Sequence, residues 1–436
     1  MSERAHRLLE LAAAVSESAE VLEVEESIFG VRSIPGCGKS FEDCRTTEES
    51  LRIVRNGRLG MGSASGLADL PSVVDMAISG SRLGPEVGWE FPGPSDPGTV
   101  EMRHPAVDAM VLDDLTGLFL GMEDAVLGEQ PHSVVTGRIR RRDVDITLAN
   151  TSGFEGRYSK ALLEFDLEFS FPFRDRMLVE GLRFLSGLPP ASPGQICEGI
   201  RTRAGWAASE AVLEEESVPV VLAPPVLCTI LQSLRACVSG RALVTGGSVL
   251  EGREGSRVAS ETVSVHDRPR LSYGAASAPF DAEGVPTSDR AILERGVFTG
   301  FVTDISTAFQ LGLKSTGSAG RNTGDHPSPI CTNLVFMHGS DSLEDLLGSV
   351  PSCAFVTELL PGGSGNALSG DFAFDASSAF LFRSGEPAGH LPGLTVAGNS
   401  LDLLARVTGI EGALHGVETD WLPSVMVEGA LLRQKV

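Results

Sequence analysis

Paired cysteines are missing from this sequence. Its cysteines are scattered along 436 residues with no Cys-x-x-Cys arrangement, at Cys37, Cys44, Cys197, Cys228, Cys237, Cys331 and Cys353. An odd number of widely spaced cysteines is not the pattern of a disulfide framework or of a zinc ribbon. These two classes of small, cross-linked protein are therefore excluded.

The sequence also lacks an excess of basic residues and long apolar runs. The formal net charge is -23, with acidic residues scattered along the chain, and such a surface repels a phosphate backbone. No run approaches the roughly 18 apolar residues of a membrane helix. The first 20 residues have the pattern of an amphipathic helix, not of a signal peptide. We expect a cytoplasmic protein without a nucleic-acid or membrane partner.

Histidine is scarce and never paired. None occurs between His132 and His266, and His326, His338 and His390 stand alone in polar, Gly-rich or Pro-rich segments. Two imidazoles that bind one metal ion from a helix need a spacing of about one turn. The histidines therefore predict no metal site.

Hydrophobic residues make up 42% of the chain, which is ample for sizeable cores. Asn56-Gly57 between two short apolar runs predicts a β-hairpin over 49–59. Apolar periodicity predicts further elements: helices over 4–18, 70–79 and 113–127, strands over 21–31 and 162–171, and a second hairpin formed by 133–140 and 143–149.

A proline-rich break at 188–194 precedes a predicted helix over 195–214. We place a domain boundary near residue 215, which gives an N-terminal α+β domain (1–215) and a C-terminal β-rich domain (216–436). In the second domain only 227–238 and 401–407 have clear helical patterns. Strands and helices do not alternate regularly, so the predicted class is α+β with mixed, mainly antiparallel sheets and flanking helices.

Two local motifs invite an enzymatic interpretation. Residues 33–40 end in Gly-Lys-Ser, as a phosphate-binding loop does, but Ser33 stands where the first glycine is required. Residues 62–66, Gly-Ser-Ala-Ser-Gly, suggest the Gly-x-Ser-x-Gly pattern with Ser65 as the candidate nucleophile, but Ala64 stands at the central position. A nucleophile elbow also needs a buried parallel strand before the turn. A solvated loop and a plain turn are the simpler interpretations.

The C-terminal half carries a distinctive order of short motifs. They are Pro219-Val220-Val221-Leu222-Ala223-Pro224, Ser248-Val249-Leu250-Glu251-Gly252, Pro279-Phe280-Asp281, Glu283-Gly284-Val285-Pro286, Gly296-Val297-Phe298, Ser315-Thr316-Gly317, Asn333-Leu334, Gly370-Asp371-Phe372 and Ala397-Gly398-Asn399-Ser400. This order closely resembles the TldD/PmbA family, also called the DNA gyrase modulators. The resemblance is strong over the last half of the chain and loose over the first.

The resemblance implies a choice between two kinds of subunit. One carries His-Glu-x-x-x-His on a helix, where two imidazoles bind zinc and the carboxylate acts as general base. The corresponding stretch here, 229–240, has neither His nor Glu, and the tail 420–436 lacks the further cysteine ligand. The chain therefore resembles the PmbA/TldE-type subunit without the zinc motif, and we expect it to hold no cofactor.

What the resemblance implies about function follows from that assignment. The chain is expected to be a non-catalytic partner of a TldD-like, His-Glu-x-x-x-His paralogue, which holds the zinc. Together they would enclose a chamber that processes unfolded or extended peptides. Two alternatives stay open: a protein-binding regulator without proteolysis, and an independent hydrolase that uses Ser65.

Glycine and serine residues indicate where such a chamber would be lined. Small residues let a peptide backbone approach closely, although tight turns between strands explain the same composition. The candidate lining residues are Ser315, Thr316, Gly317, Arg321, Gly362, Gly363, Gly370 and Asp371.

Overall fold

The computed structural model describes residues 2–34, 36–66, 69–173, 176–214 and 218–435. Residues 2–214, the N-terminal half, form in chain order α1 (Glu3–Ala13), β1 (Ser18–Ile34), β2 (Gly38–Arg55), β3 (Arg58–Ser65), α2 (Leu70–Ser81), α3 (Pro105–Asp108), α4 (Leu112–Leu127), β4 (Val134–Asn150), β5 (Glu155–Phe173), β6 (Arg176–Ser186) and α5 (Pro193–Trp206).

Residues 218–435, the C-terminal half, consist mostly of short strands. In chain order they form β7 (Val220–Leu222), α6 (Pro224–Cys237), α7 (Gly240–Val244), β8 (Val265–Asp267), β9 (Arg290–Glu294), β10 (Val297–Phe298), α8 (Ile305–Leu311), β11 (Ala319–Gly320), β12 (Ser328–Pro329), β13 (Leu334–Phe336), α9 (Leu343–Gly348), β14 (Ser352–Leu359), β15 (Ser364–Asn366), β16 (Asp371–Arg383), β17 (Glu386–His390), β18 (Leu394–Asn399), α10 (Ser400–Ala405), β19 (Val407–Ile410), β20 (His415–Val417), β21 (Asp420–Leu422), β22 (Val425–Val427) and β23 (Leu431–Gln434).

The N-terminal half is built on one antiparallel sheet of long strands, in the order β3-β2-β1-β4-β5-β6. The predicted hairpin at Asn56-Gly57 is confirmed: both residues have positive φ, and Arg55 pairs with Arg58 across the turn. Helices α1 and α2 cover one part of the sheet, where Leu8 and Val73 join its apolar side chains. Helices α4 and α5 cover another part.

The predicted hairpin of 133–140 and 143–149 is wrong, because both segments belong to the single strand β4. This strand pairs with β5 without a break. The charged residues between the two segments indicated a turn, but they face carboxylates on neighbouring strands. Arg142 pairs with Glu26 at 2.6 Å on β1 and with Glu164 at 3.3 Å on β5.

The predicted helix over 195–214 ends earlier, at Trp206. The Trp206 ring packs edge-on against Phe382, with 5.1 Å between ring centroids. The following residues run beside β17, where the Ala211 N–H donates to the His390 carbonyl at 2.8 Å. Tertiary packing therefore ends the helix at Trp206, although the helical spacing of apolar residues continues beyond it. Likewise, α1 stops at Ala13 because β1 begins at Ser18.

Two sheets and helix α6 make up most of the C-terminal half. One sheet has the order β19-β22-β7-β14-β16-β18-β23, with β15 and β17 also paired to β16, and the other has the order β10-β9-β8-β13-β21-β20. Most neighbours are antiparallel, while β7 with β14 and β13 with β21 are parallel. The predicted class, α+β with mainly antiparallel sheets and flanking helices, is confirmed.

One hydrophobic core is shared by the two halves. Phe165 and Phe169 of β5 lie in the same buried cluster as Phe355 of β14 and Phe380 of β16. The domain boundary predicted near residue 215 lies outside the described residues and stays a prediction. In the described part of the chain, no helix combines the length and the apolar character that crossing a membrane requires.

Candidate functional site

A groove runs along the outward face of α6. Pro225, Thr229, Gln232 and Ala236 follow one another at intervals of three or four residues, so they lie on one side of the helix. The opposite side is buried in the C-terminal core. Two clefts of about 600 and 560 Å³ adjoin along this face, and Gln232 lines both of them. Together they form what we call the α6 groove.

The two clefts differ in their remaining walls. The first is lined by Gly181, Arg183, Pro225, Cys228, Thr229, Gln232, Glu358, Leu359, Leu360, Pro361, Phe374, Val417 and Glu418. The second is lined by Gln232, Arg235, Ala236, Ser239, Arg241, Ala242, Thr245, Pro329, Ile330, Cys331 and Leu368.

The wall opposite α6 ends in a free strand edge. Strands β14 and β15 pair along the same strand, β16, and residues 360–363 connect them. In the described part of the chain β15 pairs with β16 alone, and all three of its residues are exposed. Leu360 and Leu368, on either side of β15, line the first and the second cleft respectively. The groove therefore borders backbone groups that an extended peptide could pair with.

One end of the groove is acidic. Glu358 pairs with Arg183 at 3.0 Å, and burial raises the pKa of the Glu358 carboxyl although Arg183 opposes this shift. Glu418 is exposed beside this pair and has a positive φ of 52°. Its backbone is held by β6, since the Glu418 N–H donates to the Arg183 carbonyl and the Leu185 N–H donates to the Glu418 carbonyl, each at 3.0 Å.

The middle of the groove is held by a buried ion pair between Arg235 and Asp420. Asp420 also accepts the Leu334 N–H at 2.9 Å, and Arg235 donates to the Cys331 carbonyl at 2.9 Å. Burial, reinforced by the Asp420 carboxylate, raises the pKa of the Cys228 thiol to about 12. The thiol is therefore neutral near pH 7, and it is a poor nucleophile and a poor metal ligand.

The side chains of this face do not fit a zinc ion. Zinc takes imidazole, thiolate and carboxylate ligands, whereas α6 presents Thr229, Gln232 and the Arg235 guanidinium to the groove. Asp420 and Cys228 contact each other, with 3.8 Å between Oδ2 and Sγ. The Arg235 guanidinium, which pairs with Asp420, would repel a metal cation at this point. Across the described ranges, no three His, Cys, Asp or Glu side chains are grouped as a metal site requires.

The predicted lining residues 315–321 lie away from the α6 groove. Thr316 exchanges hydrogen bonds with Thr303, and a Cβ on Gly317, whose φ is +65°, would overlap the Pro286 carbonyl. Gly317 and Arg321 line a separate cleft of about 260 Å³. The Arg321 side chain itself is fully buried and pairs with Glu20 at 2.8 Å. Ser315 caps this turn, accepting the Gly317 N–H at 3.3 Å.

The predicted lining residues 362–371 flank the α6 groove. Gly362 and Gly363 connect β14 to β15, and a Cβ on Gly363 would overlap the Phe374 ring, which lines the first cleft. Gly370 has a φ of +85° at the turn into β16. Asp371 is exposed and accepts hydrogen bonds from Ser369 at 2.8 Å and Asn399 at 3.0 Å. The structure therefore separates the two predicted segments.

Sequence reasoning missed the α6 face and the two acidic residues beside it, Glu358 and Glu418. A signal was present, because Thr229, Gln232 and Arg235 are the polar positions outside the buried side of a mostly apolar helix. The residue types alone show which zinc ligands this stretch lacks, and they do not show that its polar side faces a groove. Glu358 and Glu418 are distant in sequence, and only the fold brings them together at one end of the groove.

Neither enzymatic motif has the geometry it requires. Residues 33 and 39 pair across the β1–β2 hairpin. A phosphate-binding loop would instead connect a strand to a helix. Pro35, within this segment, lies outside the described residues. Lys39 pairs with Glu123 at 2.7 Å. Ser65 is exposed on β3, an antiparallel edge strand in which it pairs with Glu48. This is not the buried parallel strand of a nucleophile elbow.

Comparisons with known proteins bear on this fold and groove. The family model described as PmbA/TldA metallopeptidase C-terminal domain matches residues 215–433. A metalloprotease of Methanothermobacter thermautotrophicus is 32% identical over 168 residues, which are 38% of this chain and 37% of that protein. The metalloprotease PmbA homologue of Haemophilus influenzae is 31% identical over 198 residues, 45% of this chain and 42% of that protein. The matched segments thus span less than half of either relative.

The fold is similar over nearly the whole chain to that of TldE from Thermococcus kodakarensis. The TM-score is 0.89, with 98% of this chain and 99% of the other covered at 21% identity. The family match begins at residue 215, so it includes β7, α6 and every other element that lines the groove except β6. The chain belongs to the PmbA/TldD metallopeptidase family.

Proposed function

We propose that this chain is a non-catalytic partner subunit of a TldD/TldE-type zinc metallopeptidase complex, and that its α6 groove holds an extended segment of the peptide substrate. The observation that carries the proposal is a groove with a free strand edge on one wall. The helix on the other wall presents Thr229, Gln232 and Arg235 at the positions where the family resemblance leads one to look for zinc ligands.

The chemistry of the groove supports binding more than catalysis. The Cys228 thiol is held neutral, Asp420 is committed to Arg235 and to a backbone N–H, and Glu358 is paired with Arg183. By contrast, an extended peptide needs backbone partners on a strand edge and shallow pockets between side chains. The β14–β15 wall offers the edge, and Leu360 and Ile330 offer apolar surface, each being more than two fifths exposed.

The cleavage itself is assigned to the paralogue with His-Glu-x-x-x-His, whose zinc would activate water. Our chain would bind part of an unfolded peptide in the cytoplasm and complete the enclosure around it. The alternative function, a regulator that binds a folded protein without proteolysis, would use a surface that accepts folded partners in place of extended chains.

Filling the groove tests this proposal. The change is Gln232→Trp in the full chain, since Gln232 is exposed and lines both clefts. We expect about tenfold or greater loss of affinity for a fluorescent, unstructured peptide in an anisotropy titration, because the indole occupies space that the peptide needs. The matched control is Gln310→Trp, on the exposed face of α8 and outside the groove.

Two results would count against the proposal. One is unchanged peptide affinity in Gln232→Trp with circular dichroism matching the parent chain. The other is equal loss in both variants, which would mean that the groove has no special part in binding. Binding of a folded protein without binding of any unstructured peptide would favour the regulator.

A further inference from the structure

The charges of the α6 groove are arranged unequally along its length. At the first cleft, Arg183 is matched by Glu358 at 3.0 Å, and Glu418 is a second carboxylate on the same wall. In the middle, Arg235 and Asp420 neutralise each other. The described residues lining the second cleft include no Asp or Glu. One end thus has a surplus negative charge and the other a surplus positive charge.

The acidic end is built by the backbone. A residue other than glycine with positive φ is uncommon and carries backbone strain. Glu418 adopts such a conformation, with φ of 52°, and two backbone hydrogen bonds to β6 hold it there. The side chain remains exposed at the mouth of the first cleft. The fold therefore presents this carboxylate to the groove from a fixed backbone.

The basic end is formed by Arg241, the second residue of α7. Its side chain is exposed and lies among apolar or small neighbours, including Ala242, Ile330 and Leu368. Arg241 is not among the described ion pairs of the structure, so its guanidinium is available to an anionic group of a ligand. A guanidinium in this position is suited to a carboxylate.

The length of the groove suits a short peptide. From Pro225 to Ala236 the lining face of α6 extends over roughly 16 Å at 1.5 Å per residue. That length corresponds to about five residues of extended chain. Glu418 lines the first cleft and Arg241 lines the second. A peptide of about six residues can therefore reach both charged ends.

We infer that the α6 groove binds short peptides in one direction, with the free amino terminus at Glu418 and the free carboxylate at Arg241. This inference rests on the proposed function, because it assumes that the groove binds an extended peptide. It adds a specificity: Glu418 and Arg241 select chain ends, so the preferred ligands are short fragments with both ends free. Such ligands are products of an earlier endoproteolytic cleavage.

The experiment uses four versions of one labelled peptide of about six residues, with free ends, an acetylated amino terminus, an amidated carboxyl terminus, or both blocks. We expect each block to weaken binding to the full chain about two- to fivefold, as the loss of an exposed charge pair does. Glu418→Gln should abolish only the preference for a free amine. Arg241→Gln should abolish only the preference for a free carboxylate.

The outcomes separate this inference from the proposed function. If all four peptides bind equally well and Gln232→Trp weakens them all, the directional inference is wrong and the groove proposal stands. If none of the four binds, and longer unstructured peptides do not bind either, the proposed function itself is wrong. Glu254→Gln, an exposed change outside both clefts, is the control and should leave every preference intact.

Discussion

Four charged side chains lie together out of water between the first two strands and the C-terminal half. Arg52 donates to Glu20 at 3.0 Å and to Glu283 at 2.8 Å, and Arg321 donates to Glu20 at 2.8 Å. No member of the cluster has a side chain more than 1% exposed. The Phe91 ring lies over the Arg52 guanidinium, 5.2 Å from its carbon. The cluster therefore ties residues that are distant in sequence.

Removing the central cation should destabilise the protein strongly. We expect Arg52→Met to lower the free energy of unfolding by about 3–5 kcal/mol, because it leaves the buried Glu283 carboxylate without its cation and Glu20 with Arg321 alone. Chemical denaturation followed by tryptophan fluorescence measures this change. The control is Arg7→Met, which removes an exposed pair with Glu10 and should change stability by less than about 0.5 kcal/mol.

The destabilisation by Arg52→Met should depend on pH with a definite sign. Burial by itself would raise the pKa of Glu20, but Arg52 and Arg321 outweigh it and hold the pKa below its ordinary value. A carboxyl with a lowered folded-state pKa contributes stability above its unfolded pKa, and that contribution is lost as the pH falls through the folded value. Burial raises the pKa of the Glu283 carboxyl, and the loss of Arg52 raises it further. The difference between Arg52→Met and the parent chain should therefore shrink as the pH falls, beginning above the ordinary glutamate pKa of about 4.3. A difference that grows in acid would contradict this account.

At the scale of elements, glycines let α2 lie directly on β3. A Cβ on Gly60 would overlap the Ala77 carbonyl, and a Cβ on Gly62 would overlap the Val73 carbonyl. The segment Gly-Ser-Ala-Ser-Gly at 62–66 thus begins with a glycine required for helix–strand packing, which explains that glycine without catalysis.

We expect Gly62→Ala to destabilise the N-terminal half by about 1–3 kcal/mol, because the added methyl group forces α2 away from the sheet. Thermal unfolding measures the effect. The control, Gly117→Ala, lies in the exposed interior of α4 with no atom near the new methyl group, so it should stabilise the chain by about 0.5–1 kcal/mol. Equal tolerance of both substitutions would contradict the packing account.

Elements with local signals could be predicted from sequence. Asn56-Gly57 defines its own turn, and the alternation around Phe165 defines a half-buried strand, so both were located correctly. The continuity of β4 could not be predicted, because Arg142 is compatible with a strand only when Glu26 and Glu164 stand on the adjacent strands. The course of β4 is determined by pairing with residues distant in sequence, and the local pattern contains no information about that pairing.

The candidate site could be predicted only in part. The glycine segment at 362–363 lies beside the groove because it forms the irregular connection between two strands. Arg321, chosen for the same reason of local composition, is instead buried in an ion pair with Glu20, 301 residues away in sequence. The exposure of Gln232 on the open face of α6 depends on how the surrounding elements pack. That is a property of tertiary structure, which the local sequence does not contain.

At the scale of the whole molecule, the proposed role requires a second chain. A groove that only binds one stretch of peptide, as proposed, leaves the cleavage to another subunit. We expect an obligate interface above roughly 2,000 Å². Exposed apolar residues of the C-terminal half, among them Phe309, Leu313 and Leu431, are available to contribute to it, each being more than half exposed.

Co-expression with the His-Glu-x-x-x-His paralogue tests the central claim most directly. The measurement is cleavage of an unstructured peptide by each chain alone and by the fraction that co-elutes in size-exclusion chromatography. We predict that the two chains co-elute, that only the mixed complex cleaves the peptide, and that Gln232→Trp lowers cleavage while co-elution persists. If the paralogue alone cleaves equally well and never co-elutes with this chain, the partner-subunit account is contradicted.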